Sequence, residues 1–300
     1  MFFEYALEPT VISSWDQARF FLDAFGPWKG RFLAEYPRRW KKMVLQSLTC
    51  PDVEKHRIIE RLARLDQNVF YTRAAAPYDQ QLPWVENAEQ EHRRAPFHAI
   101  IANGASKLPH ILDCSDVDDR HDRWRVETGA LVSKDPNIFA HALRLLLAAS
   151  KRVVIIDPYF RADQPEKTRP LVAFCKLLST TTAVEIHCSN ETRSYQLCMH
   201  DAGRALPQLL PDATKVTVHC WKERIGGARF HNRFVLTDVG GVKFGDSIEQ
   251  GASGHEDHLS ILDEPSRLKL WTQYAGTVPA FEPAGGPREF IGKVVRGARP

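Results

Sequence analysis

The sequence predicts an α/β protein, a sandwich with a mixed sheet preceded by a mainly helical N-terminal region. Three observations carry this. From about residue 97 onward, short β-branched or alternating runs take turns with segments whose apolar residues recur at helical spacing. The runs end in Asn, Gly or Pro, as strands and their turns do. Before residue 95, the apolar residues recur mainly at helical spacing.

Taken in order, Ser14 suits a helix N-cap with Gln17 as its capping-box partner, and Ala18, Phe21, Leu22 and Phe25 follow at helical spacing. A second helix is expected over residues 29–45, broken at Pro37. A third is expected from Pro51, carrying Val53, Ile58, Ile59, Leu62 and Leu65. Residues 97–102 read as a strand ending at Asn103-Gly104. Asp135-Pro136 reads as N-cap and first helical position, with Ile138, Phe139, Ala142, Leu145 and Leu146 inward. Strands are expected at 153–156, 184–187, 215–221, 241–245 and 259–262, with another beginning at His231. Helices are expected at 170–178, at 194–206 with Pro207 as the stop, and after Asp263 with Leu268, Trp271 and Tyr274. The chain thus divides into a helical region (1–95), an α/β domain (96–276) and a loose Pro/Gly-rich basic tail (277–300) containing Lys293, Arg296 and Arg299.

Composition is that of an ordinary globular protein: 43% hydrophobic, 26% charged, net charge +3. That charge is too small to argue for a polyanionic partner by itself. No secretory signal or membrane-length apolar run is visible, so a cytoplasmic protein with no membrane partner and reduced thiols is expected. The six cysteines form no C-x-x-C pair. Cys188, Cys198 and His200 are too loosely spaced for zinc, as are His255 and His258, so no metal or other cofactor is expected. There is no Walker A or dinucleotide fingerprint.

The most informative segment is His231-Asn232-Arg233-Phe234-Val235-Leu236-Thr237-Asp238. A strand alternates faces, so His231 and Arg233 point the same way. Arg233 supplies a permanently charged fork for phosphoryl oxygens, and a neutral imidazole beside it can attack phosphorus or move a proton. Asp238 has the opposite parity and is placed to tie down the following turn. Gly245-Asp246-Ser247-Ile248 follows after a short strand.

This H-x-R-x4-D pattern with a downstream Gly resembles the signature of the phospholipase D superfamily, H-x-K-x4-D followed by G-S-x-N. The resemblance covers about residues 97–274, with one motif per chain. It implies a phospholipase D-like αβα sandwich and a metal-independent phosphodiesterase using a phosphohistidine intermediate. His231 matches the nucleophile and Asp238 the motif aspartate. Arg233 stands in place of Lys, Asp246 in place of Ser and Ile248 in place of Asn, while Ser247 offers a hydroxyl one residue later. No second motif is present: His121-Asp122-Arg123 begins one, but Thr128 stands where Asp is needed. A homodimer pairing two His231 side chains is therefore implied, the second acting as general acid.

Other candidates sit at strand ends, where α/β folds build sites. Asp157 and Tyr159 belong to an Asp-Pro-Tyr segment like one found in many phospholipase D-like proteins. Asn190 and Glu191 follow the next strand, and Glu256 and Asp257 precede the last. Two basic–aromatic clusters suit phosphates and bases: Arg38, Arg39, Trp40, Lys41 and Lys42, and Arg120 through Arg125, with Arg123, Trp124 and Arg125. The leading expectation is a nuclease acting on DNA or RNA, by analogy in bacterial antiviral defence. The main alternative is a non-catalytic module binding nucleic acid or a nucleotide, with the N-terminal region engaging a protein partner. A phospholipase is a third.

Overall fold

A computed structural model describes residues 1–73 and 77–293. The chain divides into two compact units, Met1–Thr128 and Gly129–Pro300. Each has its own sheet.

The first unit runs β1 (Phe3–Leu7), α1 (Trp15–Ala24), β2 (Arg31–Ala34), α2 (Trp40–Ser47), α3 (Asp52–Arg64), β3 (Phe70–Tyr71), α4 (Trp84–Arg94), β4 (Ala99–Ala102) and β5 (Ile111–Asp113). Its five strands are ordered β3-β2-β1-β4-β5 and every described pairing is parallel. Tyr5 and Leu7 pack with Phe21, Trp40, Val44 and Leu62 of α1, α2 and α3. Ala6, Ala34 and Ile100 meet Trp84 and Ala88 of α4 on the other face. The expected helical region is therefore an α/β unit, and its boundary falls after residue 128, not 95. The reason is physical. Strands buried on both faces show no alternation, and these span five residues or fewer. The expected helix over 29–45 begins instead as β2, because Gly30 turns the chain with φ 68° and Phe32, Leu33 and Ala34 are buried.

The second unit runs β6 (Gly129–Ser133), α5 (Pro136–Ala149), β7 (Arg152–Ile156), α6 (Pro165–Cys175), β8 (Ala183–Ser189), α7 (Tyr195–Leu209), β9 (Lys215–Lys222), β10 (Arg233–Thr237), β11 (Gly241–Phe244), β12 (Glu256–Ile261), α8 (Glu264–Ala275), β13 (Glu282–Pro283) and β14 (Arg288–Ile291). The nine-stranded sheet is mixed, as expected. Strands β7, β8 and β9 are parallel, and β10, β11, β12 and β6 continue antiparallel. Helix α8 covers one face through Tyr274 and Trp271 against Val154, Ile156, Phe234 and Leu236. Phe139 of α5, Leu171 of α6 and Cys198 of α7 meet the other face.

The Asp135 cap forms as expected, its carboxylate accepting from the Asn137 and Ile138 amides. Ile138 itself turns outward and is exposed. Pro170 and Pro207 lie inside α6 and α7 instead of bounding them. The tail is not loose through residue 293: β13 and β14 both pair with β9. Arg296 and Arg299 lie outside the described residues. No described helix is long and apolar enough to cross a membrane.

Candidate active site

Strand register assembles the site. Phe234 pairs with Ile156, Arg233 with Phe244, and Phe244 with Leu259. The residues just beyond these pairs collect at one end of the sheet: Asp157 to Tyr159 after β7, His231 before β10, Gly245 to Ser247 after β11, and Asp257 at the start of β12. Lys134, after β6, joins them through its amide on the His255 carbonyl at 2.8 Å.

His231 is exposed and lies two residues before β10. Its Nδ1 is 2.9 Å from the Tyr159 hydroxyl, and no described residue bonds Nε2. The Arg233 guanidinium lies over the Tyr159 ring, 4.7 Å from its centroid. Its buried Nε has no hydrogen-bond partner among the described residues. Tyr159 thus touches both residues of the pair that the sequence singled out. Tyr159 and His231 line a cleft of about 560 Å³ together with Ser189, Glu191, Thr192, Glu223 and Arg229. Glu223 accepts from the Phe230 amide at 2.8 Å and so holds the loop leading into His231.

Behind the pair is a charge network built on two buried lysines, Lys134 and Lys167. Lys134 donates to Asp246 at 2.8 Å, to Ser247 at 2.7 Å and to Glu249 at 3.4 Å. Burial disfavours its ammonium, but these carboxylates outweigh burial and raise its pKa above the ordinary lysine value. The bond from Lys134 in turn holds the Asp246 carboxyl below its ordinary value. Lys167 pairs with Glu249 at 2.6 Å and lies 3.7 Å from Asp157. Asp157 is buried; its Oδ1 accepts from the Tyr159 amide at 3.0 Å, while Oδ2 has no described hydrogen-bond partner. Burial pushes its pKa up, against the attraction of Lys167.

Several expected site residues have other roles. Asp238 lies at the far end of β10, where its carboxylate accepts from the Lys151 and Arg152 amides at 3.0 and 3.1 Å. It anchors the start of β7 and is not with His231. Asn190 accepts from the Tyr195 amide at 2.9 Å, fastening the start of α7. Glu256 is exposed, whereas the buried Asp257 accepts from the Asp246 and Ser247 amides at 2.8 and 3.4 Å. Ile248 is buried among Ile155, Phe160, Leu171 and Ile186.

The expected stacking tryptophans are core residues. Trp40 is fully buried and donates to the Leu7 carbonyl at 2.6 Å. Trp124 is buried beneath Arg31, 4.4 Å from its ring centre. Both fill the first unit's core because indole is the largest apolar group available to it. Arg38 and Arg39 remain exposed, Lys41 lies over the Phe70 ring, Arg123 bonds the His98 carbonyl at 2.9 Å, and Arg125 faces Glu127 at 3.9 Å.

Sequence spacing missed Lys134, Lys167, Glu223 and Glu249, which come from distant segments. Sequence spacing also missed Glu185, His187 and His219, whose ligand atoms lie within 4.8 Å of one another. Their bonding opposes a metal there. Trp221 Nε1 donates to His187 Nδ1 at 3.1 Å, which puts the imidazole proton on Nε2, 3.3 Å from Glu185. Arg152 takes both Glu185 oxygens at 2.6 and 3.1 Å. His200, on its own, faces Asp201 and does not join Cys188 and Cys198.

No family profile matches the chain, and no curated protein is similar to it.

Proposed function

We propose that the second unit is a phospholipase D-like, metal-independent phosphodiesterase that cleaves DNA or RNA through a phosphohistidine. The observation that carries this reading is the Tyr159–His231–Arg233 arrangement. Nucleophilic attack through Nε2 needs the proton on Nδ1. The Tyr159 hydroxyl at 2.9 Å is placed to accept it and fix that tautomer. Arg233 is held beside the imidazole by the same ring, with a buried Nε still to be satisfied. A phosphoryl oxygen would supply that acceptor.

In this mechanism His231 Nε2 attacks phosphorus and the bond to the leaving oxygen breaks. That oxygen takes a proton from the imidazolium of the second His231 in a homodimer. Water, giving its proton back to that imidazole, then cleaves the P–N bond. Arg233 steadies the charge on the phosphoryl oxygens throughout.

A second reading has one observation in its favour. Ile248, at the position of the superfamily's asparagine, is buried in an apolar cluster and brings no polar group to the site. On that reading the unit binds nucleic acid or a nucleotide without cleaving it, and the first unit engages a protein partner. A cleavage assay in EDTA separates the two. Catalysis predicts metal-free cleavage that falls by at least about 10³-fold in His231→Ala, together with a dimeric active species in sedimentation. Binding without cleavage by either protein supports the second reading, and a strictly monomeric active enzyme excludes the paired-histidine mechanism.

A further inference from the structure

Three buried thiols lie together where β8, β9 and α7 meet. Cys188 near the end of β8 is in register with Cys220 on β9, and Cys198 lies in the first turn of α7. The sulfurs of Cys188 and Cys198 are 3.3 Å apart. Cys220 Sγ lies within bonding reach of both and also faces the Arg193 carbonyl, at 4.0 Å.

We propose that Cys188 and Cys198 form a reversible dithiol–disulfide pair, oxidised by a hydroperoxide, that tethers one wall of the His231 cleft to the sheet. Closing the pair to about 2.05 Å needs a movement of only about 1.2 Å. The segment between them carries Ser189, Glu191 and Thr192, all lining that cleft. Cys198, in the first turn of α7 where the helix dipole favours an anion, supplies the thiolate, and the bond from Cys188 lowers its pKa in the same direction. It attacks a peroxide oxygen, the O–O bond breaks, and with one proton taken up a sulfenic acid and water result. The Cys188 sulfur then displaces the sulfenic oxygen, which leaves as a second water with the Cys188 proton. Two thiols are oxidised and one hydrogen peroxide is reduced to two waters. Buried Cys175, whose thiol is pushed up to about 12 by burial, stays inert. The inference holds whether or not His231 is a nucleophile.

The test uses the full chain treated with hydrogen peroxide, then alkylated and mapped without reduction. The expected result is a cross-linked peptide joining Cys188 to Cys198 that dithiothreitol releases. Amide exchange over residues 189–192 is expected to slow by about tenfold in the oxidised protein. Cys198→Ala should give no cross-link and leave Cys188 alkylated; the wild-type map reads the pairing even if that variant does not fold. Alkylation of both residues after Cys50 and Cys114 have oxidised overturns the proposal, as does a Cys188–Cys220 link. Cross-linking with unchanged exchange overturns the connection to the cleft.

Discussion

Tyr159 is the residue on which the site turns, since it bonds the imidazole and carries the guanidinium. Removing only its hydroxyl keeps the ring under Arg233 and frees His231 to adopt the wrong tautomer. Tyr159→Phe is therefore expected to lower kcat by about 10²-fold while KM stays within about twofold, measured as metal-free cleavage. An unchanged kcat removes Tyr159 from the chemistry. Lys134 acts one layer back, through the turn it bonds. Lys134→Met leaves Asp246, Ser247 and Glu249 without their shared donor. Because Asp246 is largely exposed, the expected loss is about 2 kcal/mol in urea unfolding, below the range for a wholly buried pair. His231 and Arg233 were legible in the sequence because they stand two residues apart at the head of one apolar run, although the strand expected from His231 begins only at Arg233. Lys134, Lys167 and Glu249 reach the site from separate segments, and only the folded chain shows that they belong there.

At the scale of elements, β8 and β9 hold an acid-sensitive cluster. Glu185 is partly buried, which disfavours its charge, but bonds from His187 and Arg152 prevail and hold its pKa to about 2. Burial, with the neighbouring charge of His187, lowers His219 to about 4, and burial also lowers His187. Between the ordinary histidine value of 6.5 and these lower values, the unfolded chain binds more protons than the native one. The same holds for Glu185 between 4.5 and about 2. Stability from this cluster is thus complete above pH 6.5 and is lost progressively as pH falls. Each histidine contributes up to about 1.4 kcal/mol per pH unit in its window. Urea midpoints from pH 7.5 down to 4.5 should show this slope, and His219→Asn should reduce it; a flat wild-type profile contradicts the account. The sequence announced the second unit's helices and its strands β7 to β12, because exposed helix faces and capping residues such as Asp135 leave local signatures, but not β6, β13 or β14. It concealed β1, β2 and β3, whose residues are buried from both faces and whose partners are far apart in the chain.

At the scale of the whole molecule, the chain is two α/β units with separate cores, and the proposed chemistry belongs to the second. On the proposed function, one motif per chain would make that unit half of a catalytic centre, and that function stands on His231 forming a bond to phosphorus. The most direct measurement is to quench the full-length protein during turnover of an oligonucleotide and map the adduct by mass spectrometry under alkaline, acid-free conditions. The expected product is an acid-labile phosphoryl-linked nucleotide on His231, formed in EDTA and absent from His231→Ala. Metal-free cleavage with no such adduct, or an adduct on any other residue, would contradict the proposed function.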